Sequence, residues 1–597
     1  MKQIQIIVLC LIFTGFLIAN NYSDNELEFM ELMKVMENED LVENFINNKS
    51  VVEAKIKEFN RDLDTDMIII TCDDFLYWFE QFAQIKKEEG VITVVVSTST
   101  IGSTKGQIRN YLASQKQNNP NLQYVLLGGD ENIIPAQNLN WIKSGEEIIS
   151  STDFYYSNVL SGWDEDMMEL DLSPDLYVGR IPARNLSDVT KFYVKYQNYR
   201  YDYLDHTDDM AFVATNILKL PNITPDDNLV DSIIVHVDDN INIDCLHTYD
   251  LVDTLNGCAQ SVINKLKDRD YSFFYGMWHG GDCYVIYDSE YNNYNDWWLN
   301  SFGTHRQDIT INTNRVNEGS CWYSGPIDEG EHQGEYKYNY SRPALNYIQI
   351  EDEIPNINGN TYVAWISSCY TMDFFRDSWS IPVQRDTLDN IIQNYDITGN
   401  LFDYYVEAVP DTVFNVENCI SKVLFNELGG PVALYATSTD DSPYFTKRVT
   451  QYYFDLQFDQ YEHKLGNLTR DCWNIAENVL IYRNPRTIYL GYTLFGDPSM
   501  DVWCAEPDEF VIDAMDNTIT AMNSQGIFED GVTICVLDDN GVLKGRGLSP
   551  YTYTAGDIED NWIITANKAN FKQYKDTYLN SLVPVPLNVD VCVDSCS

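Results

Sequence analysis

Short apolar runs alternate with segments of helical periodicity in the first half of the chain. The pattern predicts strands at Met67–Thr71, Val91–Val96 and Tyr124–Leu127, and helices between them at Asp73–Glu88 and Thr104–Gln117. Strands separated by helices of this length indicate right-handed βαβ crossovers. We therefore expect a mostly parallel sheet that is covered by helices on its faces.

A second series of the same kind follows. Its predicted elements are the strand Ala211–Thr215, a helix around Cys258–Lys267, a strand that runs into His279, a strand that runs into Cys369, the helix Glu417–Leu428 and the strand Val432–Thr437. The chain therefore carries either two α/β units or one long sheet in two halves. Helical segments near Arg448–Phe458 and Leu468–Ile481 precede Tyr489–Trp503, where the α/β pattern ends.

The last part of the chain has a different pattern. From about Glu506 the sequence turns to short alternating runs at Val532–Leu537, Trp562–Ala566 and Leu587–Val593, with a turn signal Asp–Asn–Gly at 539–541. Alternation with such turns is typical of antiparallel strands. Residues 505–597 are therefore predicted to form a small all-β sandwich of immunoglobulin-like size.

Two of the predicted buried strands stop at reactive side chains. YSFFYGMWHGGD at 271–282 ends at His279, and TYVAWISSCYT at 361–371 ends at Cys369. Catalytic groups in α/β sheets collect beyond the carboxyl ends of the strands, so neighbouring strands would bring an imidazole and a thiol together. That combination is typical of a cysteine nucleophile with a histidine partner.

The length of the chain bounds the number of domains, and its charge bounds the kinds of partner. The 597 residues exceed what one hydrophobic core usually supports, so two or three domains are expected. The 91 acidic residues outnumber the 39 basic ones, which gives a formal net charge of −52. Such a charge repels phosphate backbones and anionic headgroups, so neither nucleic acid nor a membrane surface is an expected partner. It fits cationic peptides or divalent metals, or a solubilising surface with no specific partner.

The N-terminus predicts export. Residues 1–20 combine Lys2 with an apolar run from Ile4 to Ala19, which is typical of a secretory signal peptide. Cys10 follows Leu9 inside that run, where a lipoprotein signal would need a small residue, so no lipid anchor is predicted. Residues 21–66 are acidic with helical periodicity and read either as a pro-segment or as a packed N-terminal helix. We expect a secreted or cell-surface protein without a membrane anchor.

An acidic loop is a candidate metal site. Asp164, Asp166, Glu169 and Asp171 lie within SGWDEDMMELDLSPDLYVGR at 161–180. Closely spaced carboxylates are the oxygen ligands that calcium takes, although the spacing does not match an EF-hand loop. A structural calcium ion and a merely solvated acidic loop both remain open. The chemistry itself requires no cofactor.

Five motifs, in order, resemble one family of peptidases. They are YVLLGGDENIIP at 124–135, PDLYVGRIP at 174–182, the His–Gly after a strand, the Ser–Cys after the next strand, and LFGDPSM at 494–500. Together they resemble the gingipain-type cysteine peptidases, a branch of the caspase-like fold. The resemblance implies Cys369 as nucleophile, His279 as general acid/base, Asp175 as the acid that orients the imidazole, and the N–H groups of Gly280 and Cys369 as the oxyanion hole.

The resemblance also implies an architecture. We expect a caspase-like, mostly parallel sheet flanked by helices, in two subdomains at 67–210 and 211–504, followed by the immunoglobulin-like module. The chain departs from the family pattern because His279 and Cys369 lie 90 positions apart. The insertion at 281–360, rich in Tyr, Asn, Trp and Gly, reads either as a wall or lid of the substrate site or as an ordinary surface excursion.

The expected activity is that of a secreted cysteine endopeptidase acting on protein or peptide substrates. A transpeptidase with the same dyad and a non-enzymatic surface-binding protein are the alternatives. Cys321 is the rival nucleophile, but the residues before it do not form a buried strand. The sequence has no HExxH, no GxSxG elbow and no phosphate-binding glycine loop, which argues against metalloproteases, serine hydrolases and nucleotide-dependent enzymes. The oligomeric state is left open.

Overall fold

The computed structural model divides the chain into two compact units. Unit 1 comprises Met1–Ala83 and Val91–Pro507, and unit 2 comprises Gln84–Gly90 and Asp508–Ser597. The structure describes residues 65–143, 146–164, 167–201, 207–214, 227–247, 271–277, 279–280, 301–302, 321–326, 336–341, 361–369, 371–372, 379–382, 413–416, 420–476, 480, 483–515 and 517–578. The predicted signal segment 1–20, residues 21–64 and the predicted helix around Cys258–Lys267 lie outside these ranges.

Unit 1 is built on strands and helices that alternate along the chain. Its strands are β1 (Met67–Thr71), β2 (Thr93–Ser97), β3 (Tyr124–Gly128), β4 (Gln137–Lys143), β5 (Glu146–Thr152), β6 (Tyr177–Ile181), β7 (Asp209–Ala214), β8 (Asn242–His247), β9 (Phe273–Met277), β10 (His279–Gly280), β11 (Ser301–Phe302), β12 (Cys321–Pro326), β13 (Tyr336–Ser341), β14 (Val363–Ser367), β15 (Trp379–Pro382), β16 (Val413–Val416), β17 (Ala433–Thr437) and β18 (Tyr492–Phe495). Its helices are α1 (Leu76–Glu88, whose last turn belongs to unit 2), α2 (Thr98–Ile101), α3 (Lys105–Asn118), α4 (Phe154–Ser157), α5 (Leu186–Tyr201), α6 (Asp227–Ile234), α7 (Ile420–Asn426), α8 (Pro443–Phe454), α9 (Leu465–Asp471) and α10 (Arg483–Gly491).

One 10-stranded sheet contains strands from both predicted series, in the order β2-β1-β3-β6-β18-β17-β14-β9-β7-β8. Neighbouring strands of this sheet pair in parallel except β17 and β18, which are antiparallel. The two halves meet where Phe495 of β18 pairs with Arg180 of β6. The sequence allowed two α/β units or one long sheet in two halves, and the structure has the single sheet.

The local sequence explains the first elements. Every residue of β1, MIIIT, is buried, as expected for a β-branched strand with helices on both faces of the sheet. A capping box begins α3, because the Thr104 hydroxyl accepts from the Gln107 N–H while the Gln107 side chain accepts from the Thr104 N–H. Ile108 and Leu112 of that helix are fully buried against the strands. The predicted bounds of these elements agree with the observed ones to within a few residues.

The hairpin β4–β5 was not predicted. Its strands pair in antiparallel register from Gln137–Thr152 to Lys143–Glu146, in a two-stranded sheet apart from the main one. Ile142 and Ile149 are exposed by 58% and 50%. A hairpin with exposed apolar residues has a weak alternation of polar and apolar positions, and this is the signal from which strands are read.

Unit 2 is all-β. It contains β19 (Val511–Met515), β20 (Thr518–Met522), β21 (Thr533–Leu537), β22 (Leu543–Leu548), β23 (Tyr551–Thr552), β24 (Ile563–Asn567) and β25 (Tyr574–Thr577). They form a three-stranded sheet, β19-β20-β23, and a four-stranded sheet, β22-β21-β24-β25. Ile519 and Ala521 of the first sheet and Ile534 and Val536 of the second belong to one buried apolar core. The sandwich agrees with the sequence; its immunoglobulin-like assignment stays a prediction, and Leu587–Val593 lies outside the described residues.

None of the helices in the described ranges has the length and apolar character that crossing a membrane requires.

Candidate active site

The strands that lead into the two reactive residues are neighbours. β9 and β14 pair in parallel from Phe273–Val363 to Met277–Ser367. His279 lies two residues beyond Met277, and Cys369 lies two residues beyond Ser367, so both leave the sheet at the same edge and in the same register. The predicted adjacency of these strands is confirmed. The side chain of His279 lies outside the described part of the structure, so the pairing of imidazole and sulfur stays a prediction.

Cys369 is held by the loop that follows β17. Its side chain is half-buried, and its Sγ accepts a hydrogen bond from the backbone N–H of Asp441 at 3.1 Å. The same Sγ lies 3.8 Å from the carbonyl oxygen of Asp441, to which a thiol would donate. A backbone N–H at the sulfur stabilises the thiolate, which is the nucleophilic form of cysteine.

The carboxyl group of Asp441 is enclosed by hydrogen-bond donors. Ser367 and Tyr492 donate their hydroxyls to Oδ2 at 2.7 and 2.9 Å. The Ser442 N–H donates to Oδ1 at 2.8 Å, and the Thr446 hydroxyl donates to the same oxygen. Burial raises the pKa of the Asp441 carboxyl, and the hydrogen bonds to its oxygens act in the opposite direction.

Sequence reasoning missed Asp441. The signal was present, because STDDS at 438–442 follows a predicted buried strand, as the Ser–Cys of Cys369 does. Nothing in the sequence, however, shows which polar strand ends share an edge with β14. That depends on the order of strands in the sheet.

A buried aromatic cluster supports this edge of the sheet. The rings of Trp365 and Tyr435 are 5.1 Å apart and meet edge to face, and the rings of Tyr435 and Tyr492 are 4.8 Å apart. The Trp473 indole N–H donates to the Tyr435 hydroxyl at 2.9 Å. Interlocked aromatic rings leave little freedom for side-chain rotation, so the loops above them rest on a rigid base.

The end of the hairpin β4–β5 is hydrogen-bonded to the loop after β14 and to the loop after β17. The Ser438 hydroxyl donates to the carbonyl of Ser151 at 2.6 Å, and the Ser151 hydroxyl donates to the carbonyl of Met372 at 3.5 Å. The hairpin is therefore fixed beside the loop that contacts Cys369.

A pocket of about 510 Å³ opens next to this loop. Its walls come from the loop after β17, from the start of α8, from the hairpin β4–β5 and from α10, and they include Trp141, Ile142, Asp440, Asp441, Phe445 and Ile488. Asp441 thus lines the pocket while its N–H contacts the Cys369 sulfur. Aromatic walls with two carboxylates at one side suit a side chain that has an apolar stem and a cationic end.

The structure gives Asp175 a local structural role. Its Oδ2 accepts the backbone N–H groups of Val159 and Leu160, each at 2.8 Å, so the carboxylate caps the loop before the acidic segment. Because the His279 side chain lies outside the described part, the orienting role of Asp175 stays a prediction. The same holds for the oxyanion hole formed by Gly280 and Cys369.

The acidic loop is joined to Arg486. The guanidinium donates to the carbonyls of Met167 and Leu170 and is attracted to Asp164 and Asp171. Asp166 lies outside the described residues; within them, no group of three or more metal-binding side chains is found. Calcium at Asp164, Asp166, Glu169 and Asp171 stays a prediction, which a chelator's effect on the melting temperature would test.

Three other cysteines, Cys72, Cys472 and Cys321, lack the setting of Cys369. Burial raises the pKa of the Cys72 thiol and raises that of Cys472 well above its usual range. Cys321, the rival nucleophile, begins β12 of a two-stranded antiparallel sheet with β13. Its backbone is therefore not at the carboxyl end of a strand of the central sheet.

The fold is that of solved gingipain structures. The crystal structure of the Arg-specific cysteine proteinase gingipain R matches with a TM-score of 0.54 and 15% identity, over 87% of this chain and 98% of that chain. The complex of pro- and mature domains of Porphyromonas gingivalis RgpB matches with a TM-score of 0.54 and 14% identity, over 86% and 99%. At these identities the likeness establishes the architecture: a caspase-like, mostly parallel sheet with flanking helices.

Part of the chain also matches a family model by sequence. Residues 60–282 match the model of peptidase family C25. This match confirms the predicted resemblance to gingipain-type cysteine peptidases and the class of enzyme, a cysteine-type peptidase. The matched region contains His279 and ends before Cys369. No curated protein matches this chain significantly.

Proposed function

We propose that the chain is an exported cysteine endopeptidase that hydrolyses peptide bonds through a Cys369 acyl-enzyme. The observation that carries this proposal is the parallel pairing of β9 with β14, which brings His279 and Cys369 to one edge of the sheet in matching register. The hydrogen bond from the Asp441 N–H to Sγ adds a stabilising contact for the thiolate. The predicted signal peptide at 1–20 supports export.

The proposed reaction has two steps. The Cys369 thiolate attacks the scissile carbonyl, and the N–H groups of Gly280 and Cys369 hold the oxyanion, each contributing about 3 kcal/mol. The His279 imidazolium, oriented by Asp175, protonates the leaving amine as the C–N bond breaks. Water, deprotonated by the imidazole, then attacks the thioester and releases the second product with the free thiol.

Covalent labelling tests the nucleophile. A peptidyl electrophile should modify Cys369 in the intact protein, as located by mass spectrometry, and Cys369→Ala should abolish both labelling and proteolysis. Cys245→Ala is the matched control, because Cys245 is also a partly exposed thiol in the described part of the chain. It should leave both unchanged. Modification confined to another cysteine, or proteolysis that survives Cys369→Ala, would overturn the assignment.

We further propose that the pocket beside the loop after β17 takes an arginine or lysine side chain of the substrate. Asp440 and Asp441 supply carboxylates, Trp141 and Phe445 supply apolar walls, and the neighbouring structure of gingipain R is described as Arg-specific. Asp440, which is half-buried at the wall of this pocket, is the acid expected to pair with the substrate cation.

A peptide library tests this preference. Cleavage products should carry Arg or Lys next to the scissile bond, and Asp440→Asn should lower kcat/KM for those peptides by about tenfold, since one charge-assisted pair is lost. Peptides with Leu at the same position should be cleaved by both forms at similar low rates. If Asp440→Asn kept the preference for Arg or Lys, another acidic residue would be the one that binds the substrate cation.

A further inference from the structure

The loop after β17 is anchored to the strand that carries the nucleophile. The Ser367 hydroxyl, two residues before Cys369 on β14, donates to Oδ2 of Asp441 at 2.7 Å. The Tyr492 hydroxyl on β18 donates to the same oxygen at 2.9 Å. The side chain of Asp441 therefore connects two strands of the sheet that are separated by β17.

The other carboxyl oxygen of Asp441 anchors the end of the loop that leads into α8. Oδ1 accepts the Ser442 N–H at 2.8 Å and the hydroxyl of Thr446 on α8. An ionised carboxylate has only acceptor sites, so it can receive all of these donors at once. Hydrogen bonds of this number offset part of the cost of burying the charge, and they define a single position for the residue.

In that position the backbone N–H of Asp441 lies next to Sγ of Cys369. The N–H of the same residue lies 3.1 Å from Sγ of Cys369, although the two residues are 72 positions apart in the chain. An N–H held at this distance before substrate binds stabilises negative charge on sulfur without any rearrangement. The anchored carboxyl and the donating N–H belong to one residue, so loss of the anchor would let the donor move.

We propose that Asp441 is a positioning residue whose carboxylate locks the loop after β17, so that its backbone N–H stabilises the Cys369 thiolate. The proposal rests on the proposed function of Cys369 as nucleophile. It adds a donor to the thiolate that does not depend on His279.

The direction in which the pKa of the Cys369 thiol shifts distinguishes positioning of the N–H from a simple charge effect. Among the described residues, the titratable groups around Asp441 include Tyr492 on β18 and Tyr275 on β9, which interact with its carboxyl, and Cys369, which contacts its backbone, with Asp440 beside it in the chain. If the carboxylate acted only as a nearby negative charge, its neutralisation would lower the pKa of the thiol. If it positions the N–H, its neutralisation should raise that pKa.

The test measures the thiol directly. The rate of alkylation of Cys369 by iodoacetamide is followed from pH 5 to 10 by mass spectrometry of its peptide, in full-length protein without substrate. Asp441→Asn should raise the apparent pKa of the thiol by about one unit and slow alkylation near neutral pH about tenfold, with little change at pH 10. Tyr492→Phe and Ser367→Ala each remove one donor without a change of carboxyl charge and should produce smaller shifts in the same direction.

Tyr435→Phe is the matched control. Tyr435 lies in the same aromatic cluster and its hydroxyl accepts from Trp473, so its loss should lower the melting temperature without moving the thiol pKa. An unchanged or lowered thiol pKa in Asp441→Asn would overturn the proposal. If that variant does not fold, an absence of any shift in both Tyr492→Phe and Ser367→Ala would overturn it. Failure of the proposed function is a separate result, namely proteolysis that persists in Cys369→Ala.

Discussion

At the scale of single residues, Arg180 explains why two of the recognised motifs occur together. Its guanidinium, fully buried, makes paired hydrogen bonds of 2.7 Å to the carboxylate of Asp153 and donates to the carbonyls of Gly129 and Ile134. Arg180 belongs to PDLYVGRIP, and the two carbonyls belong to YVLLGGDENIIP. These motifs therefore mark a buried ion pair and its surroundings.

Removal of one partner of that pair should be costly. Asp153→Ala leaves the Arg180 guanidinium buried without its counter-ion, and we expect a loss of about 3–5 kcal/mol in the free energy of unfolding, measured by urea denaturation. Lys191→Ala is the control, because Lys191 and Glu427 are partly exposed and 3.5 Å apart, so its loss should stay under about 1 kcal/mol. Equal losses in the two variants would contradict the argument.

At the scale of elements, the junction of β6 and β18 explains two more motif positions. Gly179 of β6 packs directly on the carbonyl oxygen of Gly496, and Gly496 has a φ of +124°, which side chains rarely adopt. Gly179 belongs to PDLYVGRIP and Gly496 to LFGDPSM, so these motifs meet where the two halves of the sheet join. Glycine is required at Gly179 because the two backbones approach too closely for a Cβ atom.

A methyl group at this junction should separate the halves of the sheet. Gly179→Ala places a Cβ into the Gly496 carbonyl, so we expect a loss of about 3 kcal/mol or more, or a failure to accumulate as soluble protein. Gly106→Ala on α3 is the control, since no heavy atom lies within 4 Å of a Cβ added there. It should be neutral or stabilising by up to about 1 kcal/mol. Similar melting temperatures for the two variants would show that the junction tolerates a side chain.

At the scale of the whole molecule, the net charge of −52 is the dominant property. The negative charges repel one another in the folded state. At 0.1 M ionic strength, salt screens the repulsion between charges that are more than about 10 Å apart. The melting temperature should therefore rise between 50 and 500 mM NaCl, by about 2–4 °C for each kcal/mol of repulsion that is screened. A scanning-calorimetry series measures this.

The control for the salt effect uses pH. Near the sequence pI of about 4.2 the net charge approaches zero, so the same salt series should produce little change there. A melting temperature that is insensitive to salt at neutral pH, or one that rises equally at both pH values, would show that self-repulsion does not limit the stability of the molecule.

The sequence by itself determined most strands of the central sheet, the helices that connect the first three, the all-β character of the last part, and the reactive residues that follow β9 and β14. These depend on local patterns, because a buried strand and the residue that ends it lie in one short stretch. The tertiary structure decided which strands are neighbours. In the sheet, β18 lies between β6 and β17, and Asp441 contacts Cys369 from 72 positions away in the chain. Both contacts join distant segments, so no local pattern encodes them.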